Sequence, residues 1–333
     1  MDSEKIILEP SRNILSFSLS SLSETEIDYS ICNNPLQKII KSILEDIKIN
    51  LPEDILTPSE TKYDKQKNNK TNKYTFEIRA NEFNWSLRLS TSSGILSEKL
   101  MAFIEYILKS YLEDAKCVYL EINKIIHKDA KFKDILELEY HPLSFRQPDD
   151  NIRNWIIQFF QNEFYQLNQL KANIDCWETV FCIGGECTLF GKILSSIHRK
   201  YFITDFQSIY DDLKYNYYDK LDKLEKPNKK DNTVNPENIL QIDYKTVSLD
   251  WKKYKGDLEK NVIIANTGYQ GLGENLASEL GMSKSKVIYL ISCNETSFQK
   301  DFAILEKRYR ICRKIEIRTN YSVWIYKLLL YLY

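Results

Sequence analysis

The chain has 333 residues, with 46 Lys and Arg against 47 Asp and Glu for a formal net charge of −1, and 43% of its residues are hydrophobic. It is long enough for two domains with a sizeable core, and its balanced charge excludes a global basic field, leaving only local patches for a polyanionic partner. Seven cysteines without a CxxC pair or ligand spacing exclude a disulfide framework and a structural zinc site.

The first residues, Met1 to Lys5, carry no cleavable apolar segment, and no apolar run approaches ~18 residues. An intracellular, soluble protein of cytoplasm or nucleus is expected, with no membrane partner. His127, His141 and His198 show no ligand spacing, so no metal site is expected.

In chain order, residues 5 to 31 hold three strand-like pieces, Lys5 to Leu8, Ile14 to Leu19 and Ile27 to Ile31. Pro35 to Ile49 places Leu36, Ile39, Ile40, Ile43, Leu44 and Ile47 at helical spacing. Residues 57–73 are polar and lysine-rich and read as a flexible insertion. A hairpin follows (Tyr74 to Ala80, Asn84 to Leu89), then a helix from Leu96 to Leu112 and a strand from Val118 to Ile122. This rhythm predicts a small α/β domain over 1–140.

From 141 to 333 the pattern is a second, larger α/β domain. Asp149 and Asp150 can cap a helix whose stripe of Ile152, Trp155, Ile156, Phe159, Phe160 and Phe164 reads as core. Thr179 to Phe190 reads as strand, glycine turn and helix, with Phe181, Gly184, Gly185 and Glu186 at the turn, where glycines allow a ligand close approach. Tyr201 to Asp205 is a strand ending in an acid, placed where a nucleoside-binding sheet holds ribose hydroxyls; Ile239 to Asp243 ends in another acid. Without a full GxGxxG or a Walker lysine, these sites favour S-adenosylmethionine over dinucleotides or nucleoside triphosphates.

Two further buried strands are expected, Val262 to Ala265 ending at Asn266, and Val287 to Ile291 ending at Ser292-Cys293-Asn294, with a helix from Gly271 to Leu280 between them. The crossover puts Asn266 and Cys293 at carboxyl ends one strand apart.

From Ser144 onward, four segments carry a family resemblance. Ser144-Phe145-Arg146-Gln147-Pro148 with Asp150-Asn151 is similar to an S/F-F-x-Q-x-N motif, and Phe181-Cys182-Ile183-Gly184-Gly185-Glu186 to a Y-C-G-x-G-x turn. Ile203-Thr204-Asp205 with Asp211 to Asn216 is similar to an acid strand followed by D-A-x-x-N, and Val287 to Asn294 with Phe298, Asp301 and Leu305 to V-Y-V-S-C-N and its helix. Together they resemble the RNA 5-methyluridine (tRNA uracil-5) methyltransferases, the TrmA-like class. The resemblance covers about 190 residues.

It implies a class I S-adenosylmethionine-dependent methyltransferase, with a Rossmann-like, doubly wound sheet and a smaller N-terminal α/β domain facing RNA, most simply tRNA. Gln147, Phe181, Gly184, Gly185, Glu186, Asp205 and Asp243 would bind the cofactor, Asn266 the substrate, and Cys293 would be the nucleophile adding to uracil C6. The N-terminal β-barrel and the cysteine cluster of some members are missing, so no iron–sulfur cluster is expected.

The chain departs from the family at two motifs. D-P-P-R-x-G-L reads Asn266-Thr267-Gly268-Tyr269-Gln270-Gly271-Leu272, and H-V-E reads Ser322-Val323-Trp324, which puts Trp324 in place of the general base. Two alternatives follow. One is a catalytically inactive RNA-binding or scaffold relative that keeps the fold. The other is an amino-directed nucleic-acid methyltransferase using Asn266 and Tyr269, through a loose likeness to N-P-P-Y turns.

Overall fold

A computed structural model describes residues 2–18, 27–50, 74–91, 98–111, 117–134, 136–169, 179–194, 197, 199–219, 239–241 and 261–331. The insertion expected at 57–73, the strand end at Asp243 and His198 lie outside them. The chain divides into two compact units, residues 10–137 with 148–150, and residues 1–9 with 138–147 and 151–333. Strand β1 (Asp2–Ile7) thus belongs to the larger unit, whereas the sequence pattern groups it with the N-terminal block.

The smaller unit is a five-stranded sheet in the order β2 (Ile14–Ser18), β3 (Tyr74–Ala80), β4 (Trp85–Thr91), β5 (Cys117–Ile122), β6 (Ile125–Asp129). Helix α1 (Asn34–Asn50) buries Leu36, Ile40, Ile43 and Ile47, the i, i+3, i+4 stripe that its sequence announces. Asn33 Oδ1 caps it by accepting from Leu36 N at 2.8 Å. Helix α2 (Glu98–Tyr111) adds Leu100, Phe103, Ile104 and Ile107 to the same core, against the alternate residues Tyr74, Phe76, Ile78 and Ala80 of β3. The piece at Ile27 to Ile31 is a turn rather than a strand, closed by Cys32 N donating to Tyr29 O at 3.0 Å. A two-residue strand, β7 (Phe132–Lys133), ends the unit's first segment. Asp150 anchors the returning segment, its carboxylate accepting from Asn13 Nδ2 at 2.7 Å and Asn33 Nδ2 at 2.8 Å.

In the larger unit, β8 (Glu139–Tyr140) and α3 (Asp150–Gln169) precede β9 (Thr179–Gly184), α4 (Cys187–Ile193), β10 (Arg199–Thr204), α5 (Gln207–Lys214) and β11 (Ile239–Gln241). Then come β12 (Asn261–Asn266), α6 (Gly273–Met282), β13 (Val287–Ser292), α7 (Glu295–Leu305), β14 (Tyr309–Arg318) and β15 (Ser322–Leu330). Eight strands form one sheet in the order β1-β14-β15-β13-β12-β9-β10-β11. All neighbours are parallel except β15, which runs antiparallel to both β13 and β14.

Strands β9, β12 and β13 are buried at every position, as a parallel sheet covered on both faces requires. One core gathers Ile152, Ile156 and Phe160 of α3, Phe190 of α4 and Leu213 of α5 against Val180, Ile264 and Ile291 of the strands. The other gathers Leu276 and Leu280 of α6 and Phe298 of α7 against Phe181, Ile263 and Leu290. The molecule's larger unit is a doubly wound α/β/α sandwich. Strand order runs outward from β9 to β11 on one side and from β12 to β13 on the other, so the connection direction reverses between β9 and β12. In open α/β sheets the crevice beyond that reversal takes the ligand.

Candidate active site

The geometry at the reversal starts from Gly184, the last residue of β9, opposite Asn266, the last residue of β12. Gly184 has φ +86°, and a Cβ there would lie 2.3 Å from the Asn266 carbonyl oxygen. Only glycine fits, because the obstacle is backbone and the conformation is left-handed. Gly185 N donates to the same carbonyl at 2.6 Å, which fastens the turn to β12. A Cβ on Gly185 would meet the Phe145 ring at 2.5 Å, so that ring lies directly on the turn with 39% of its residue surface exposed.

Glu186, also left-handed at φ +56°, is 5% exposed. Its Oε1 accepts from Gln147 N at 3.2 Å and lies 3.4 Å from Arg153 Nε, a pair whose side chains are 3% and 2% exposed. Gln147 is itself buried, and its Oε1 accepts from Tyr321 OH at 3.3 Å. Asp205 follows the end of β10, half-buried, with the exposed ring of Phe206 next to it. Glu186 Oε2, Asp205 Oδ1 and Asn266 Nδ2 are among the buried polar atoms with no hydrogen-bond partner among the described residues. They stand at or just beyond the ends of β9, β10 and β12. Buried polar atoms are nearly always paired, so these three could serve a polar ligand at this edge, although Thr179 Oγ1 and Asn261 Oδ1, at the opposite ends of β9 and β12, have no partner either.

The Phe181 ring is 1% exposed and stacks on Tyr201 at 4.9 Å, so it fills the core and only its backbone is left for a cofactor. Cys182 lies within β9, fully buried, and Cys187 Sγ points at the Cys182 and Gly184 carbonyls at 3.3 and 3.0 Å.

Cys293 comes one residue after β13, half-buried against the core that α3 covers. Burial pushes its thiol above the ordinary value, with a backbone hydrogen bond offsetting part of the effect. Trp324, level with Ser292 across the β13–β15 ladder, packs against the opposite core. The two side chains therefore belong to different faces of the sheet.

Asn294 of the S-C-N segment has a structural task. Its Oδ1 caps α7 by accepting from Thr296 N and Ser297 N at 3.0 and 3.4 Å. Its Nδ2 reaches the Tyr269 carbonyl at 3.3 Å, and Ser297 Oγ donates to the same oxygen at 2.9 Å. Asp301 accepts from Leu272 N and Gly273 N at 2.7 and 3.1 Å. Helix α7 thus ties down both ends of the 269–273 turn. That turn is not the D-P-P-R turn with exchanged side chains. Thr267 sits at φ −98° and Gly268 at φ +74°, whereas a proline ring fixes φ near −65°.

Sequence reasoning missed Arg153, Phe206 and Tyr321, and it named Asp212, Asn216 and Asp301 only as motif positions without a task. Asp212 and Asn216, four apart, hold the segment leading to Gln147: Asp212 accepts from His141 N at 2.8 Å and from Ser144 Oγ, and Asn216 from Glu139 N at 2.9 Å. The i, i+4 spacing of these two beside a strand-end acid was the available signal.

No protein family matches the chain by sequence, and no curated protein does. Among solved structures, it is similar to the tRNA (uracil-54, C5)-methyltransferase of Pyrococcus abyssi, solved with S-adenosyl-L-homocysteine. The TM-score is 0.61 at 16% identity, over 98% of this chain and 78% of that one. It is also similar to the magnesium protoporphyrin IX methyltransferase of Synechocystis, with a TM-score of 0.37 at 12% identity over 55% of this chain and 83% of that one, a likeness too slight to build on. The fold is that of a class I methyltransferase. Among the described residues no His, Cys, Asp and Glu group could hold a metal ion, and no helix is long and apolar enough to cross a membrane.

Proposed function

We propose that the chain is an S-adenosylmethionine-dependent RNA methyltransferase, with tRNA as its RNA. The observation that carries this reading is the trio of unpartnered buried polar atoms around Gly184 and Gly185 at the strand-order reversal. The donor set fits the cofactor. Asp205 would accept from the ribose hydroxyls, the exposed Phe206 ring would cover one face of the adenine, and the glycine turn with Glu186 and Gln147 would hold the amino-acid part. The cofactor supplies an electrophilic methyl group on a sulfonium. Likeness in fold, over nearly the whole chain, to an enzyme named for tRNA uracil supports RNA as the substrate class. In this reading residues 10–137 face the RNA.

The finer assignment gives Cys293 the nucleophile's part. Uracil C5 gains electron density when a thiolate adds at C6, and it loses its proton before the thiolate leaves. Two features make this slow: burial raises the Cys293 thiol above its ordinary value and so disfavours the thiolate, and Trp324 cannot accept a proton. General-base assistance typically contributes ~10²–10⁴-fold. The same two features favour the second reading, a relative that binds cofactor and RNA without methylating carbon. Mass spectrometry of nucleosides from bulk tRNA incubated with methyl-labelled cofactor separates them. The first predicts 5-methyluridine from the wild type and none from Cys293→Ala; the second predicts no label in either. Equal methylation by both proteins overturns the role of Cys293.

A further inference from the structure

The end of the large sheet opposite the glycine turn carries a feature that the cofactor site leaves unused. Hydrogen bonds tie three segments together there. Tyr309 OH donates to Ser285 O at 2.9 Å, Leu330 N to Lys286 O at 3.1 Å, and Tyr331 N to Arg308 O at 2.8 Å. These bonds bring Lys284, Lys286, Lys307, Arg308 and Arg310 to one corner, where Glu306 is the single acid of segments 284–286, 306–310 and 330–331. Lys284, Lys307, Arg308 and Arg310 are exposed, and none of their side chains forms an ion pair or a hydrogen bond among the described residues. Further along β14 the cations are paired: Arg313 with Glu4 and Glu163 at 2.9 and 3.0 Å, and Lys314 with Glu295. One strand thus has its charges neutralised in the middle and left bare at its start. Cations crowded without counter-ions repel one another, and a polyanion relieves that repulsion.

We propose that this corner is a second RNA contact, where Lys284, Lys307, Arg308 and Arg310 neutralise backbone phosphates remote from the target nucleotide. This rests on the reading of the chain as an RNA methyltransferase. A net charge of −1 gives the chain no global attraction for RNA, so that attraction has to come from local groups of unpaired cations. Strand β13 has six residues, from Val287 at this corner to Ser292 at the candidate site, so the two lie about 20 Å apart at ~3.3 Å per residue. A cofactor or a single nucleotide in the site cannot reach that far, whereas a polynucleotide can. Guanidinium groups suit its phosphates, which they bond in a two-pronged fashion. Tyr331, 41% exposed and joined to Arg308 through its backbone, adds an aromatic surface beside them.

The test is a fluorescence-anisotropy titration of labelled tRNA with the full chain at several salt concentrations, comparing wild type with Lys307→Gln/Arg308→Gln/Arg310→Gln. The triple variant binds on the order of ten-fold or more weakly at low salt. Its slope of log affinity against log salt flattens by about 2–3, close to one for each cation that met a phosphate. Because these side chains are exposed and unpaired, thermal melting and S-adenosylmethionine affinity by calorimetry match wild type. Equal tRNA affinity and equal salt slope in the two proteins overturn the proposal. So does a wild type that binds polyglutamate and not tRNA, which hands the corner to an acidic protein. A wild type that binds tRNA through this corner and takes up no cofactor instead strikes the underlying reading and leaves the RNA contact standing.

Discussion

Arg153→Met isolates the buried ion pair beneath the glycine turn. Arg153 and Glu186 approach to 3.4 Å with side chains 3% and 2% exposed, so neither charge is solvated. Removing the guanidinium leaves a carboxylate in the core, a change that typically costs ~3–5 kcal/mol. The separation is longer than that of a well-formed charged hydrogen bond, so the lower end, ~3 kcal/mol, is the expected loss. Adding Glu186→Gln removes the stranded charge while keeping an oxygen for Gln147 N, and the double variant should return to within ~1 kcal/mol of wild type. Urea denaturation followed by circular dichroism measures this as a shift in midpoint at constant slope. A loss below ~1 kcal/mol in Arg153→Met, the behaviour of a surface pair, would refute the reasoning.

Gly184→Ala should cost more than ~2 kcal/mol, because its Cβ meets the Asn266 carbonyl and its backbone is left-handed, whereas Gly185→Ala meets only a ring that can swing aside and should cost less. Equal denaturation midpoints for the two variants would contradict this. Burial raises the Asp301 carboxyl above its ordinary value, against the pull of the Leu272 and Gly273 amides. A folded-state value above the unfolded one contributes stability below the unfolded value, and that contribution is lost as pH rises through the folded value. Asp301→Asn should therefore flatten this part of the stability–pH profile, and parallel profiles for the two proteins would count against it.

Much of the fold was legible because strong local patterns coincide with its elements. The stripe of α1, the apolar runs of β12 and β13 and the glycine turn after β9 all lie where sequence placed them, and the strand ends at Gly184, Thr204, Asn266 and Ser292 share one sheet edge. Strand β1 was misplaced because its residues are mostly exposed and its partner is β14, with Asp2 opposite Arg313, a pairing that leaves no local trace. The burial of the Phe181 ring was not legible because a strand buried on both faces shows no alternation to reveal which core each side chain enters. Arg153 was overlooked as one charge among the apolar positions of α3, and its meaning comes only from Glu186, 33 residues on by sequence number.

The account turns on the polar cradle at the strand-order reversal, and calorimetric titration of the purified chain with S-adenosylmethionine tests it most directly. Wild type should bind one cofactor per chain. Asp205→Ala should lose hydrogen bonds to a charged group worth ~1.5–3 kcal/mol, or roughly ten-fold or more in affinity. Absence of binding by the wild type, or an unchanged affinity in Asp205→Ala, would contradict the account.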